Sequence, residues 1–171
     1  MKILVVDDNE DARLLQETIL AGQGYTIECA ENGVEALKIA ARFRPDMIIS
    51  DIFMPEMDGF DLCHAVKNDK RLRTIAFVFY TAAYTDAKAE ALGMELGASR
   101  FIVKPMDTEE FLVEIEKVLK EYKEGKLPVP EHPKLGDEEL DSKHDKIQLE
   151  KLKERVKELE REKKELEESE E

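Results

Sequence analysis

Apolar runs that each stop at a polar group constrain this chain more than any other feature. Lys2-Ile3-Leu4-Val5-Val6 runs into Asp7-Asp8, Met47-Ile48-Ile49-Ser50 into Asp51, Ile75 to Tyr80 into Thr81, and Arg100-Phe101-Ile102-Val103 into Lys104-Pro105. Short continuous runs rich in β-branched residues read as strands buried on both faces. A fifth piece, Met54-Pro55-Glu56-Met57-Asp58-Gly59, follows Asp51 and reads as a turn. In an open parallel α/β sheet the carboxyl ends of the strands form one crevice, and ligands bind there. Three carboxylates, a hydroxyl and an ammonium are therefore expected to converge. That collection can bind Mg2+ and accept a phosphoryl group on a carboxylate.

The segments between these runs read as helices, with one more strand at Tyr25–Ala30. A helix over about residues 11–22 is expected to turn Leu14, Leu15, Thr18 and Ile19 inward and to end at Gly22 and Gly24. Asn32-Gly33 opens a second, with Val34, Leu37, Ile39 and Ala40 inside, and Pro45 stops it. A third spans about Asp58 to Asn68 and carries Leu62 and Val66. Residues 86–96 form a small-residue helix ended by Gly97. Asp107 or Thr108 caps a fifth, which runs to about Tyr122. Strands alternating with helices define an α/β class with a parallel sheet covered on both faces.

Composition changes after residue 124. From Gly125 onward the chain holds 11 Lys+Arg and 16 Asp+Glu, a net charge of −5; the first 124 residues hold the other 15 and 24, a net of −9. Residues 1–124 are thus expected to form one domain, residues 125–140 a linker stiffened by Pro128, Pro130 and Pro133, and residues 141–171 a charged helix. In that helix Leu149, Leu152, Val156, Leu159 and Leu166 alternate at three- and four-residue steps, with Lys163 at one core position. About three heptads result, consistent with a parallel coiled coil and so with a homodimer through residues 149–166. The alternative is a solvated single helix held by Glu–Lys pairs four residues apart.

Both parts are acidic, which argues against a nucleic-acid-binding surface. No apolar stretch approaches 18 residues and no signal peptide is visible, so a cytoplasmic protein without membrane contact is expected. Cys29 and Cys63 read as reduced, buried small groups. His64, His132 and His144 show no metal-ligand spacing.

Mg2+ prefers hard oxygen ligands and keeps some waters. Asp8 and Asp51 are expected to supply carboxylates, Asp7 to help directly or through water, and a backbone carbonyl near Phe53 to complete the protein's share. Asp51 is the expected nucleophile, forming an acyl phosphate. Lys104 would contact the phosphoryl oxygens as a point charge, Thr81 would donate its hydroxyl, and the small Ala82 leaves room. Each signal is weak alone. In the right order at the right strand ends they form one constellation.

With these residues in place the chain resembles the receiver domain of two-component response regulators, the CheY-like family. The resemblance rests on Asp7, Asp8, the run from Asp51 to Gly59, Thr81-Ala82, Gly97-Ala98 and Lys104-Pro105, and covers about residues 1–122. It implies a flavodoxin-like doubly wound sheet of five strands in the order 2-1-3-4-5. It also implies transfer of a phosphoryl group from the phosphohistidine of a sensor histidine kinase or phosphotransfer protein to Asp51. The bond before Pro105 is cis in the family, which would aim Lys104 into the pocket. The family's switch pairs the strand-four Thr with a strand-five aromatic, here Thr81 and Phe101, and reshapes the surface of helix four, strand five and helix five.

Phe53 and Ala83 stand two residues past Asp51 and Thr81, and neither can hold a water by side-chain hydrogen bond; slow self-dephosphorylation is expected, and no other enzyme activity. A hydrolase with an aspartyl-phosphate intermediate needs an acid/base carboxylate where Phe53 stands. A receiver-like scaffold that is never phosphorylated and acts through its coiled-coil tail is the alternative. Output is expected through protein contacts, with this chain either complete or the front part of a longer protein.

Overall fold

The computed structural model describes residues 1–82, 87–129 and 136–170. They fall into two compact units, Met1–Leu135 and Gly136–Glu171. In the first, β1 (Lys2–Val6), α1 (Glu10–Gly22), β2 (Thr26–Ala30), α2 (Gly33–Phe43), β3 (Met47–Ser50), α3 (Gly59–Asn68), β4 (Ala76–Thr81), α4 (Ala87–Glu95), β5 (Arg100–Val103) and α5 (Thr108–Lys123) follow in strict alternation. The second is one helix, α6 (Asp137–Ser169), which begins at Asp137 where the sequence suggested a start near Asp141.

All four strand pairings are parallel and the sheet order is β2-β1-β3-β4-β5, as expected. The apolar runs explain this order. All four residues of β3 are buried, as are Ile3 to Val6 of β1, so these strands must sit centrally under helices on both faces. On one face Ile3, Val5, Ile49, Val78 and Ile102 pack with Leu20 of α1 and with Phe111, Ile115 and Val118 of α5. On the other, Phe77 and Phe79 meet at 5.0 Å and Phe60 lies 5.5 Å from Phe79. Each of these side chains contributes about 1.5–3 kcal/mol by leaving water.

Among the described residues, asparagine or aspartate starts four of the helices. Asn9, Asn32 and Asp58 each accept the backbone N–H three residues on at 2.9 Å, and Asp107 accepts from Glu109 and Glu110. These bonds satisfy amide donors that a helix cannot pair internally, at about 1 kcal/mol each.

The inner faces of two helices differ from expectation. In α1, Leu14 and Leu15 are 60% and 61% exposed, Thr18 is exposed too and Ile19 is half-buried, while Gln16 and Leu20 are buried. The apolar residues of α1 occupy two stripes, and the helix is phased so that the row through Gln16 and Leu20 meets the sheet. In α2, Val34 is exposed and Gly33, Ala36, Ile39 and Ala40 are buried, so the inner face is made largely of small residues. Cys63 is buried and Cys29 half-buried; both are free thiols. No helix among the described residues is long and apolar enough to cross a membrane.

Candidate functional site

Each acidic residue of the site begins where a strand's ladder ends. Asp7 N–H donates to the Ala30 carbonyl at 3.1 Å and Asp51 N–H to the Val6 carbonyl at 2.9 Å, one residue beyond β1 and β3. Lys104 N–H donates to the Thr81 carbonyl at 2.8 Å, one residue beyond β5. Parallel register then delivers the three side chains to the same edge of the sheet.

Asp7 is 1% exposed, and its polar atoms are all engaged. Oδ1 accepts the Asn9 N–H at 3.0 Å, Oδ2 accepts Lys104 Nζ at 2.9 Å, and the carbonyl accepts Arg13 Nη1 at 2.8 Å. Lys104 Nζ lies 3.6 Å from Asp51 Oδ2, so one ammonium serves two carboxylates. It also stands 5.0 Å above the Tyr80 ring, which stacks on Phe111 at 4.7 Å. Burial pushes the Lys104 ammonium toward losing its proton, but the hydrogen bond to Asp7 and the Asp51 charge outweigh this and hold its pKa above the usual value. The Lys104–Pro105 bond is cis.

Asp8 is exposed, and one carboxylate oxygen each from Asp7, Asp8 and Asp51 lie within 4.8 Å of one another. The Asp8 carboxyl is raised above its ordinary pKa, first by the partial loss of water around it at the mouth of the site and then by the negative charges of Asp7 and Asp51. Three carboxylates against the Lys104 ammonium and the Arg13 guanidinium leave the edge acidic among the described residues. An all-oxygen donor set of this kind suits a hard divalent cation such as Mg2+.

The loop after β3 is held tightly. Ile52 N–H donates to Asp51 Oδ1 at 2.6 Å and Gly59 N–H to the Ile52 carbonyl at 2.8 Å. A Cβ on Gly59 would come within 2.8 Å of Ile52 Cα, so only glycine lets α3 start beside the Asp51 backbone. Between them Glu56 takes φ +66° and Met57 N–H returns to the Pro55 carbonyl at 2.8 Å. The Met57 carbonyl accepts the Gly33 N–H at 3.0 Å, which ties the turn to the start of α2.

Thr81 is fully buried and Ala82 is exposed beside it, while the Phe53 side chain is 65% exposed. Ala83 lies outside the described residues. Phe101 is half-buried, its ring 5.7 Å from that of Phe79. Register pairs Thr81 with Val103 and Phe79 with Phe101, so Thr81 and Phe101 lie diagonally on one face of the sheet. Gly93 of α4 comes close to both rings: a Cβ there would meet Phe79 Cε2 at 2.9 Å and Phe101 Cδ2 at 3.3 Å. Asn9, Arg13 and Tyr80 all support the site, yet sequence reasoning assigned them no role in it. Asn9 carries a helix-start signal; nothing in the spacing of Arg13 and Tyr80 marks them.

The family model for the response regulator receiver domain matches residues 3–116. Response regulator PleD of Caulobacter vibrioides is 43% identical over 107 residues, which are 62% of this chain and 23% of PleD. Regulatory protein AtoC of Escherichia coli is 34% identical over 118 residues, 69% of this chain and 25% of AtoC. This chain therefore spans about a quarter of either relative. The chemotaxis protein CheY4 of Vibrio cholerae superimposes with a TM-score of 0.65 at 34% identity, covering 68% of this chain and 97% of CheY4. The signal receiver domain of a Syntrophus aciditrophicus signal transduction histidine kinase gives 0.64 at 36% identity, covering 70% and 89%. Sheet order, strand-end carboxylates and family match agree, and the chain belongs to the response regulator receiver domain family.

Proposed function

We propose that this chain is a phosphoacceptor signalling module, with residues 1–124 as the receiver, a linker from residue 125 up to α6, and α6, from Asp137, as a coiled-coil helix, working in the cytoplasm. A carboxylate oxygen of Asp51 attacks the phosphorus of a phosphohistidine on a histidine kinase or phosphotransfer protein. The new O–P bond forms as the P–N bond breaks, and the imidazole leaves neutral after taking up a proton. The observation that carries this reading is the single Lys104 ammonium shared by Asp7 and Asp51 beside the three clustered carboxylates.

Asp7, Asp8 and Asp51, with the Phe53 carbonyl, would hold Mg2+, which when bound offsets the repulsion between the acceptor and an incoming phosphoryl group. Lys104 turns from Asp51 to the phosphoryl oxygens and remains paired with Asp7. Thr81 donates its hydroxyl to another oxygen, and Ala82 leaves the space. Drawing Thr81 inward frees room for Phe101, and the surface of α4, β5 and α5 changes shape. Output then passes through protein contacts, among them a homodimer through residues 149–166. Hydrolysis of the phosphoryl group is slow because Phe53 cannot position water.

Intact mass in Mg2+ with acetyl phosphate tests the reading. Wild type should gain one phosphoryl group and Asp51→Asn none. No gain in either protein favours a scaffold that acts through its tail without phosphate.

A further inference from the structure

The apolar row of α6 is exposed: Leu149, Leu152, Val156, Leu159 and Leu166 show 52%, 63%, 52%, 47% and 65% of their surface. Taking Leu149 as heptad position a, Val156 and Lys163 are also a, and Leu152, Leu159 and Leu166 are d. The flanking g positions are then Gln148, Arg155 and Glu162, and the e positions Lys146, Lys153, Glu160 and Glu167. Charges at e and g decide which way two such helices pair.

In a parallel pair each layer repeats one residue, so Lys163 would face Lys163. A g residue would meet the e residue five positions on in the other helix. Arg155 and Glu160 then attract, but Glu162 and Glu167 repel, and the two like-charge layers fall at the same end. In an antiparallel pair a meets d, g meets g and e meets e. Leu149 then lies opposite Leu166, Val156 opposite Leu159, and Lys163 opposite Leu152, where its aliphatic stem covers the leucine. Lys163 Nζ already leans toward Glu167 of its own helix, at 3.6 Å. At the flanks Arg155 meets Glu162, Lys153 meets Glu160 and Lys146 meets Glu167. Each pairing occurs twice by symmetry, and between Lys146 and Glu167 none joins like charges.

We infer that α6 pairs with α6 of a second copy of this chain in antiparallel orientation, with Leu149 of one helix opposite Leu166 of the other. The inference rests on the homodimer proposed for residues 149–166 and replaces the parallel pairing that the heptads alone suggest. The two Leu149 residues then stand roughly 26 Å apart at opposite ends of the pair.

The full chain tests it. Light scattering should give a dimer, and a monomer at every concentration overturns the dimer and the orientation together, as does a dimer that survives Leu159→Asp. Leu152→Cys chains mixed with isotopically heavy Lys163→Cys chains in a glutathione buffer should form mixed disulfides. Leu152→Cys disulfides joining two identical chains would overturn the antiparallel arrangement and leave the dimer standing. The native thiols compete poorly, since burial raises Cys29 to about 11 and Cys63 to about 12. Glu162→Lys should weaken the dimer roughly tenfold, since it sets like charges against Arg155. A tighter Glu162→Lys dimer contradicts the inference, because only a parallel pair gains from that change.

Discussion

Lys104 Nζ lies 2.9 Å from Asp7 Oδ2, joining residues 97 positions apart in the chain. The pair closes the site from the β5 side; among the described residues one ammonium stands among three carboxylates, while the Arg13 guanidinium is held on the Asp7 backbone carbonyl. Most of what can be tested about the pocket follows from that imbalance.

Removing the cation should expose it directly. Lys104→Met leaves the buried Asp7 carboxylate without its counter-charge and should cost about 2–3 kcal/mol in urea unfolding. Asp7→Asn together with Lys104→Met should recover much of the loss, because the buried charge disappears with its partner. A double variant as unstable as the sum of the two single variants would contradict this.

Acid and metal should compete at Asp8. Its carboxyl is raised in the folded chain, so the folded state holds that proton more tightly than the unfolded state. Without metal, stability should therefore fall as pH rises through the raised pKa. Mg2+ needs the carboxylate, so its affinity should drop as pH falls through the same interval. At neutral pH, Mg2+ about a hundredfold above its Kd should raise Tm by roughly 5–10 °C, and chelation should reverse the gain. Titrations of Tm against Mg2+ at several pH values check both slopes.

Gly59→Ala should damage the acceptor loop. The new methyl group would press on Ile52 Cα and the Asp51 carbonyl, both of them backbone. A loss of about 2 kcal/mol is expected, with a slower gain of phosphoryl mass at equal Mg2+. Gly136→Ala, where a Cβ meets nothing within 4 Å, is the control and should leave the gain of phosphoryl mass unchanged.

Phe53→Asn should shorten the phosphoryl lifetime by roughly tenfold, since an amide two residues past Asp51 can hold the attacking water. Decay of the phosphorylated mass after removal of acetyl phosphate measures this. An unchanged decay would show that something other than water positioning limits hydrolysis.

The sheet was legible in the sequence because each central strand is an unbroken apolar run ending at a polar residue, and buried parallel strands need that pattern. The carboxylates and Lys104 were legible for the same reason: a strand end fixes where the next side chain begins. The inward face of α1 was not, because its leucines offer two stripes and a buried Gln16 looks polar on paper. Arg13 and Tyr80 escaped notice because their contacts with Asp7 and Lys104 arise only once α1 and β4 are docked. The turn at Glu56 was legible as a turn, while its positive φ belongs to the close approach that Gly33 and Gly59 permit. In α6 the heptad spacing is plain in the sequence, but spacing alone is the same for parallel and antiparallel pairs; the flanking charges and Lys163 carry the direction.

Asp7, Asp51 and Lys104 leave the sheet from β1, β3 and β5, and β5 is both an edge strand and the last one synthesised. A nascent chain that has not yet delivered β5, or a fragment clipped before it, carries the Asp51 carboxylate but not the Lys104 ammonium that faces it. On the proposed function the chemistry would therefore become available only when the sheet is complete. Competence to receive phosphate would then double as a certificate of finished folding.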